Sequence, residues 1–235
     1  MVPLRGSPYS ASFSAATKAD SNHLTGPSLP KYVTRVIDET GRWMKETTNA
    51  AKTSDKDLSE IKTLIGVVDS VKQVQAQTDS IMLQLDQLEE TLNFLQTKSL
   101  AKDSQIKQTK KLFEDWTNLK KVAKETHKEI SPLVQSETQK NNNQIAKLEE
   151  DLKVYTQDLK KRDFYKYECG KENALTKLEA VYAEINDLNV KISNFGYTAE
   201  KFGNPNLIDN CNKQVETIKN EIGNMKMLWD HISMC

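Results

Sequence analysis

Basic and aromatic side chains interleave over residues 160–171, KKRDFYKYECGK. Phe164, Tyr165 and Tyr167 among lysines and an arginine have the make-up of a stacking platform for single-stranded nucleic acid, with rings for bases and cations for phosphates. Asp158, Asp163, Glu168 and Glu172 cancel much of that positive potential. A structural reading competes. Aromatics at a helix end fill the wider space where a bundle turns a corner, and Lys and Arg stems lie over them. Corner packing is the reading adopted, and no nucleic-acid partner is expected.

Elsewhere the chemistry is sparse. There is no phosphate-cradling G-x-x-x-x-G-K-S/T loop; Gly170-Lys171 is followed by Glu172 and lacks the earlier glycine. The sequence holds no G-x-G-x-x-G, H-E-x-x-H or C-x-x-C. Its three histidines lie far apart. His127, beside Lys124 and Lys128, falls on an apolar seam and reads as a part-buried helix residue; His231 reads as exposed. Carboxylates in KLEEDL and QLEETL have the spacing of solvated helix faces carrying i,i+4 ion pairs. Cys169, Cys211 and Cys235 are odd in number and without metal spacing, which suits free thiols in a reducing compartment. No catalytic residue, cofactor, metal or small-molecule substrate is expected, and the chain is not read as an enzyme.

Composition points to helices with little core. Charged residues make up 28% and hydrophobic residues 37%, so surface is large relative to interior, as in long helices and narrow bundles. Lys and Arg number 33, as do Asp and Glu, so no net charge draws the chain to phosphate backbones or anionic lipid. No run approaches the roughly 18 apolar residues that span a bilayer, and no membrane partner is expected. The N-terminal stretch MVPLRGSPYSASFSAATKAD lacks a secretory core; one Arg and several Ser leave a weak organelle-targeting reading, against which Pro3 and Pro8 argue. The default location is cytoplasmic.

The elements follow from periodicity. Residues 1–30 hold four of the six prolines and no sustained period, and are expected to be disordered. Val33, Val36, Ile37 and Met44 mark a short helix, weakened by Gly41. Leu58, Ile61, Ile65 and Val68 step by three and four, slip one place, and resume at Val71, Val74, Thr78, Ile81, Leu85, Leu88, Leu92 and Leu95. That predicts one heptad helix of roughly 60 Å. QTKSLAKDSQ interrupts it. A third helix carries Ile106, Thr109, Phe113, Trp116, Ala123, His127, Ile130 and Val134, with Pro132 expected to kink or restart it. Ile145, Leu148, Leu152, Tyr155 and Leu159 predict a fourth. Leu175, Leu178, Tyr182, Ile185, Ile192 and Phe195 predict a fifth, ending in a turn at GYTAEKFGNPN with Gly196, Gly203 and Pro205. Ile208, Cys211, Val215, Ile218, Ile222, Met225, Trp229 and Ile232 predict a last helix. No stretch alternates with period two. The fold expected is all-α, an elongated bundle of long antiparallel helices with coiled-coil-like seams.

From about Leu112 to Cys235 the sequence resembles the tail of axonemal (ciliary) dynein heavy chains, just before the linker. The resemblance is carried by LFEDWTNLKKVAKETHKEISPLV, LEEDLKVYTQDLKKRDFYKYECGKENAL, NFGYTAEKFGNPNLI and IGNMKMLWDHI. Trp116, Pro132, Tyr155, Phe164, Tyr167, Gly170, Phe202, Pro205, Leu228 and Trp229 fall where that family has them, and beta-type outer-arm chains are the nearest kind. The stretch from Leu58 to Leu95 would be the preceding tail bundle, although TDSIMLQLDQLEETL lacks the aromatic–proline motif of the family. Three regions are expected: residues 1–30 disordered, 31–98 helical with the long heptad helix, and 99–235 a dynein-tail-like bundle ending at the linker junction.

The resemblance implies a structural segment of a heavy-chain tail in microtubule-based ciliary movement, at the axoneme and cytoskeleton, without a motor of its own. It implies intermediate chains, light chains or neighbouring heavy chains as partners. Trp116, Phe164, Tyr165, Tyr167, Phe202 and Trp229 are the candidate structural or partner contacts, because large aromatics dominate cores and interfaces. In MKMLWDHISMC the last helix shows no stop signal, and its final turns, Trp229 included, are expected to fray without a continuation that covers them. A reading from another class is a freestanding coiled-coil adaptor that self-associates through the 71–95 seam.

Overall fold

Apolar residues at three- and four-residue steps fold into α-helices over most of residues 29–232, the part of the chain described by the computed structural model. The fold is an all-α helical bundle, and no strand occurs among the described residues. Most of residues 1–30, expected to be disordered, and Cys235 lie outside them. The elements are α1 (Leu29–Ala51), α2 (Ile61–Ala76), α3 (Thr78–Thr97), α4 (Asp103–Leu159), α5 (Lys171–Lys201) and α6 (Asp209–His231). Short 3-10 turns at Asp163–Tyr165, Tyr167–Cys169 and Pro205–Ile208 join the last three helices. The chain divides into two compact units, residues 1–130 and 131–235, and α4 contributes to both.

In the first unit α1, α2, α3 and the first half of α4 bury one apolar cluster. Val33, Ile37, Trp43 and Met44 of α1 meet Ile81, Leu85, Leu88, Leu92 and Leu95 of α3 and Leu112, Trp116 and Leu119 of α4. Gly41 does not interrupt α1; a Cβ there would lie 3.3 Å from a Leu112 methyl, so the glycine lets α4 approach closely. The single heptad helix expected across residues 58–95 is two helices. Leu58 lies in the turn before α2, and the helix is interrupted at Gln77 (φ −96°, ψ 0°), although its amide still bonds the Gln73 carbonyl (3.0 Å) and its carbonyl the Ile81 amide (2.9 Å). The break leaves the apolar steps on both sides in phase, so the sequence period passes straight over it.

The third and fourth expected helices are one helix, α4, which runs through Pro132. Proline removes one N–H and crowds the carbonyl four residues back. Pro132 and Lys128 are both exposed, so that carbonyl faces solvent and α4 continues. The core register of α4 in the first unit is Gln105, Thr109, Leu112, Trp116, Leu119, Ala123, Thr126, Ile130, an unbroken heptad. Three residues expected on the seam are displaced by one place. Ile106 and Phe113 are half-buried, and His127 is exposed, because Thr126 takes the inward position. Thr126 donates to the carbonyl of Ala51 at 3.0 Å, supplying a partner at the carbonyl end of α1. Gln105 likewise bonds the Pro30 carbonyl (2.8 Å) and the Thr34 hydroxyl (2.9 Å).

The second unit packs Ile145, Leu148, Leu152 and Leu159 of α4 against Leu178, Val181, Ile185 and Ile192 of α5 and Cys211, Val215, Ile218 and Ile222 of α6. Gly196, expected in a turn, lies inside α5 and is buried. A Cβ there would stand 2.4 Å from Ile208 Cδ1, so the missing side chain is the space that Ile208 occupies. The turn begins only at Gly203, whose φ of 91° suits glycine alone. The amides of Gly203 and Asn204 return to the carbonyls of Glu200 (3.0 Å) and Ala199 (2.8 Å), closing the end of α5.

Candidate functional site

The interleaved segment 160–171 forms the corner between α4 and α5. After Leu159 the chain leaves the helix, and the amides of Lys161 and Arg162 bond the carbonyls of Asp158 and Leu159 at 3.1 Å each. Two 3-10 turns follow, and Gly170, at φ 74° and ψ 150°, starts α5 without a side-chain cap. Phe164 points inward and is fully buried, its ring 4.9 Å from that of Tyr165. Trp229 of α6 is buried to 3% exposure and donates its indole N–H to the Phe164 carbonyl at 2.8 Å. Trp229, expected to lack cover without a continuation of the chain, is buried here. The corner within the chain already covers this ring.

Charged side chains surround the corner. Arg162 makes two parallel bonds to Glu184 of α5, at 3.0 and 2.8 Å, and lies 5.4 Å from the centre of the Tyr155 ring. Tyr155 donates to the same carboxylate at 2.7 Å. Tyr165 donates to Glu221 of α6 at 2.7 Å, and Lys177 pairs with Asp163 at 3.1 Å. Hydrogen bonds from Arg162 hold the Glu184 carboxyl below the usual carboxylate range, and Lys177 does the same for Asp163. Burial, reinforced by the neighbouring carboxylates, pushes both phenols well above their ordinary value. Ionised carboxylates facing protonated phenols and a guanidinium form a set of fixed donors and acceptors. Such a set holds geometry rather than moving protons.

The six candidate contacts separate on this structure. Phe164, Tyr165 and Trp229 come together at the corner. Tyr167 is 77% exposed on its outer side, one ring where a stacking platform needs several. Phe202 is half-buried at the end of α5. Trp116 lies in the first unit, 1% exposed, with its indole N–H on Met82 Sδ at 3.2 Å and its ring 6.4 Å from Trp43. His231 is exposed, as its spacing predicts. Cys211 is buried and Cys169 half-buried, both as free thiols. Burial, then the charge of Glu149, pushes the Cys211 thiol up and keeps it protonated.

Sequence reasoning missed two grooves of the first unit. One, of about 480 Å³, lies between α1 and α4 over Gly41, Met44 and Leu112, with Arg42, Lys45 and Lys111 on its rim. The other, of about 240 Å³, lies between α3 and α4 over Leu92, Thr109 and Phe113. The signal for the first was Gly41, read as a helix weakness when it marks close approach. The hydroxyl of Thr109 and the side-chain carbonyl of Gln87 are buried without hydrogen-bond partners. Among the described residues no three His, Cys, Asp or Glu side chains group to hold a metal ion, and no helix is long and apolar enough to cross a membrane.

No protein-family model matches the chain. Over 170 residues, 72% of its length, it is 22% identical to the dynein alpha chain of the flagellar outer arm of Chlamydomonas reinhardtii. Over 184 residues, 78% of its length, it is 23% identical to dynein axonemal heavy chain 9 of Homo sapiens. The matched stretch spans 4% of each of these relatives. The chain is thus similar to a short part of axonemal dynein heavy chains.

Proposed function

We propose that the chain is a structural and interaction segment of a dynein heavy-chain tail, serving microtubule-based ciliary movement at the axoneme without a motor of its own. The region 99–235 would be the tail-like part that leads to the linker, of the beta-type outer-arm kind. Its task is mechanical: to hold neighbouring parts of a large assembly at a fixed spacing while presenting side chains to intermediate, light or neighbouring heavy chains. Exposed Tyr167, on a corner fixed by hydrogen bonds to two helices, suits such a contact.

The observation that carries this reading is where the apolar seams go. Val74, Ile81, Leu85, Leu88, Leu92 and Leu95 are covered by α1 and α4 of the same chain. The self-associating adaptor needs that face free to meet a second copy. A segment whose seams are closed internally is suited to a rigid spacer with lateral contacts.

The experiment is extraction of cilia from cells expressing the tagged chain. Co-extraction with outer-arm dynein under high salt, reduced by Tyr167→Ala, is the expected result. Recovery of the chain apart from any dynein complex would overturn the reading.

A further inference from the structure

The corner 160–170 has no regular backbone ladder to hold it. Its two 3-10 turns carry only local bonds, such as Tyr165 N–H to Arg162 (3.2 Å) and Lys166 N–H to Asp163 (2.8 Å). Its attachment to the rest of the unit comes from side chains. Arg162 and Asp163 tie it to α5 through Glu184 and Lys177. Tyr165 and the Phe164 carbonyl tie it to α6 through Glu221 and Trp229. The two α6 ties differ in kind. Tyr165–Glu221 lies at a part-buried edge, whereas Trp229–Phe164 is buried and joins a backbone carbonyl to the last turns of a helix. A buried carbonyl that loses its donor forfeits more than the bond, since no water replaces the partner.

We propose that the corner is a clasp latched by Trp229. Residues 163–169 and the last two turns of α6 open and close as one unit, independently of the turn at 202–208 that joins α5 to α6. Displacing α6 at Trp229 removes the donor from the Phe164 carbonyl and uncovers the Phe164 ring packed beside it. Phe164, Tyr165 and Trp229 then join Tyr167 at the surface, with Arg162 and Lys166 beside them. Opening converts a single exposed ring into an aromatic and cationic surface that the closed state hides.

Hydrogen exchange of the full chain tests this. Trp229→Phe keeps an aromatic ring and deletes the N–H. The expected result is exchange at least about tenfold faster at residues 163–169 and 225–231 together, with the 202–208 turn and α3 unchanged. Unchanged exchange at 163–169 would overturn the proposal. A uniform rise across α4, α5 and α6 would also overturn it, because Trp229 would then lend only general stability. If Trp229→Phe fails to fold, Tyr165→Phe gives the same reading from the edge of the clasp. Loosening of 163–169 with 225–231 still protected would show that the two segments do not move as one.

Discussion

Single residues set the local conditions of this fold, and two of them make sharp predictions. Ser99 holds φ at 55°, the left-handed conformation that closes α3 through the Ser99 amide on Gln96 (2.9 Å) and the Leu100 amide on Leu95 (2.9 Å). A side chain is strained there, and glycine is not. Ser99→Gly should raise unfolding stability by about 0.5–1 kcal/mol in urea titration, with the slope unchanged. Glu184 makes a prediction in pH. Arg162 depresses its folded-state pKa, so its contribution is present above the usual glutamate value of 4.5 and is lost as pH falls through the lower folded value. Glu184→Gln should therefore lower the melting temperature at neutral pH, modestly because the pair is part-exposed. That gap should narrow steadily as pH drops below 4.5. A gap that stays constant into strong acid would show that the carboxylate's charge contributes nothing.

At the scale of elements, stability follows which face of each helix is covered. Leu88 is buried in α3 against α1 and α4, whereas Leu83 on the same helix is 58% exposed. Leu88→Asp should cost about 3–5 kcal/mol, since a charge enters the core without a partner; Leu83→Asp should cost about 0.5 kcal/mol or less. Equal shifts of the two melting curves would mean that the register of α3 is wrong. Much of this register is legible in the sequence. The stripes at 81–95, 145–159 and 208–229 come from apolar residues alone and recur in the core. In α4 the apolar rule fails, because Gln105 and Thr126 occupy core positions where their side chains bond the Pro30 and Ala51 carbonyls of α1. Only the unbroken steps of four and three through 105, 109, 112, 116, 119, 123, 126 and 130 would have identified them. Helix ends are the other gap. Gln77 interrupts a helix whose apolar phase continues, Pro132 fails to break one because the Lys128 carbonyl it orphans is at the surface, and Gly196 serves packing rather than a turn. The corner was legible as a corner from its aromatics. Its latch was not, since the Trp229–Phe164 bond spans 65 residues and no local pattern encodes it.

At the scale of the whole molecule, each unit closes its own apolar cluster. The first unites Val33, Leu85, Leu88 and Trp116, and the second Leu152, Leu178, Ile222 and Trp229. A chain built this way gains nothing by pairing its heptad seam with a second copy. Under the proposed reading as a spacer, contacts to other proteins would be made by exposed side chains such as Tyr167 rather than by an open seam. The measurement that tests this most directly is sedimentation equilibrium of the purified chain over a wide concentration range. The account predicts the mass of one chain at every concentration, with the Leu83→Asp variant indistinguishable from the parent. A stable dimer that melts as a single cooperative unit, its α3 amides protected only in the dimer, would contradict it and return the 71–95 seam to self-association.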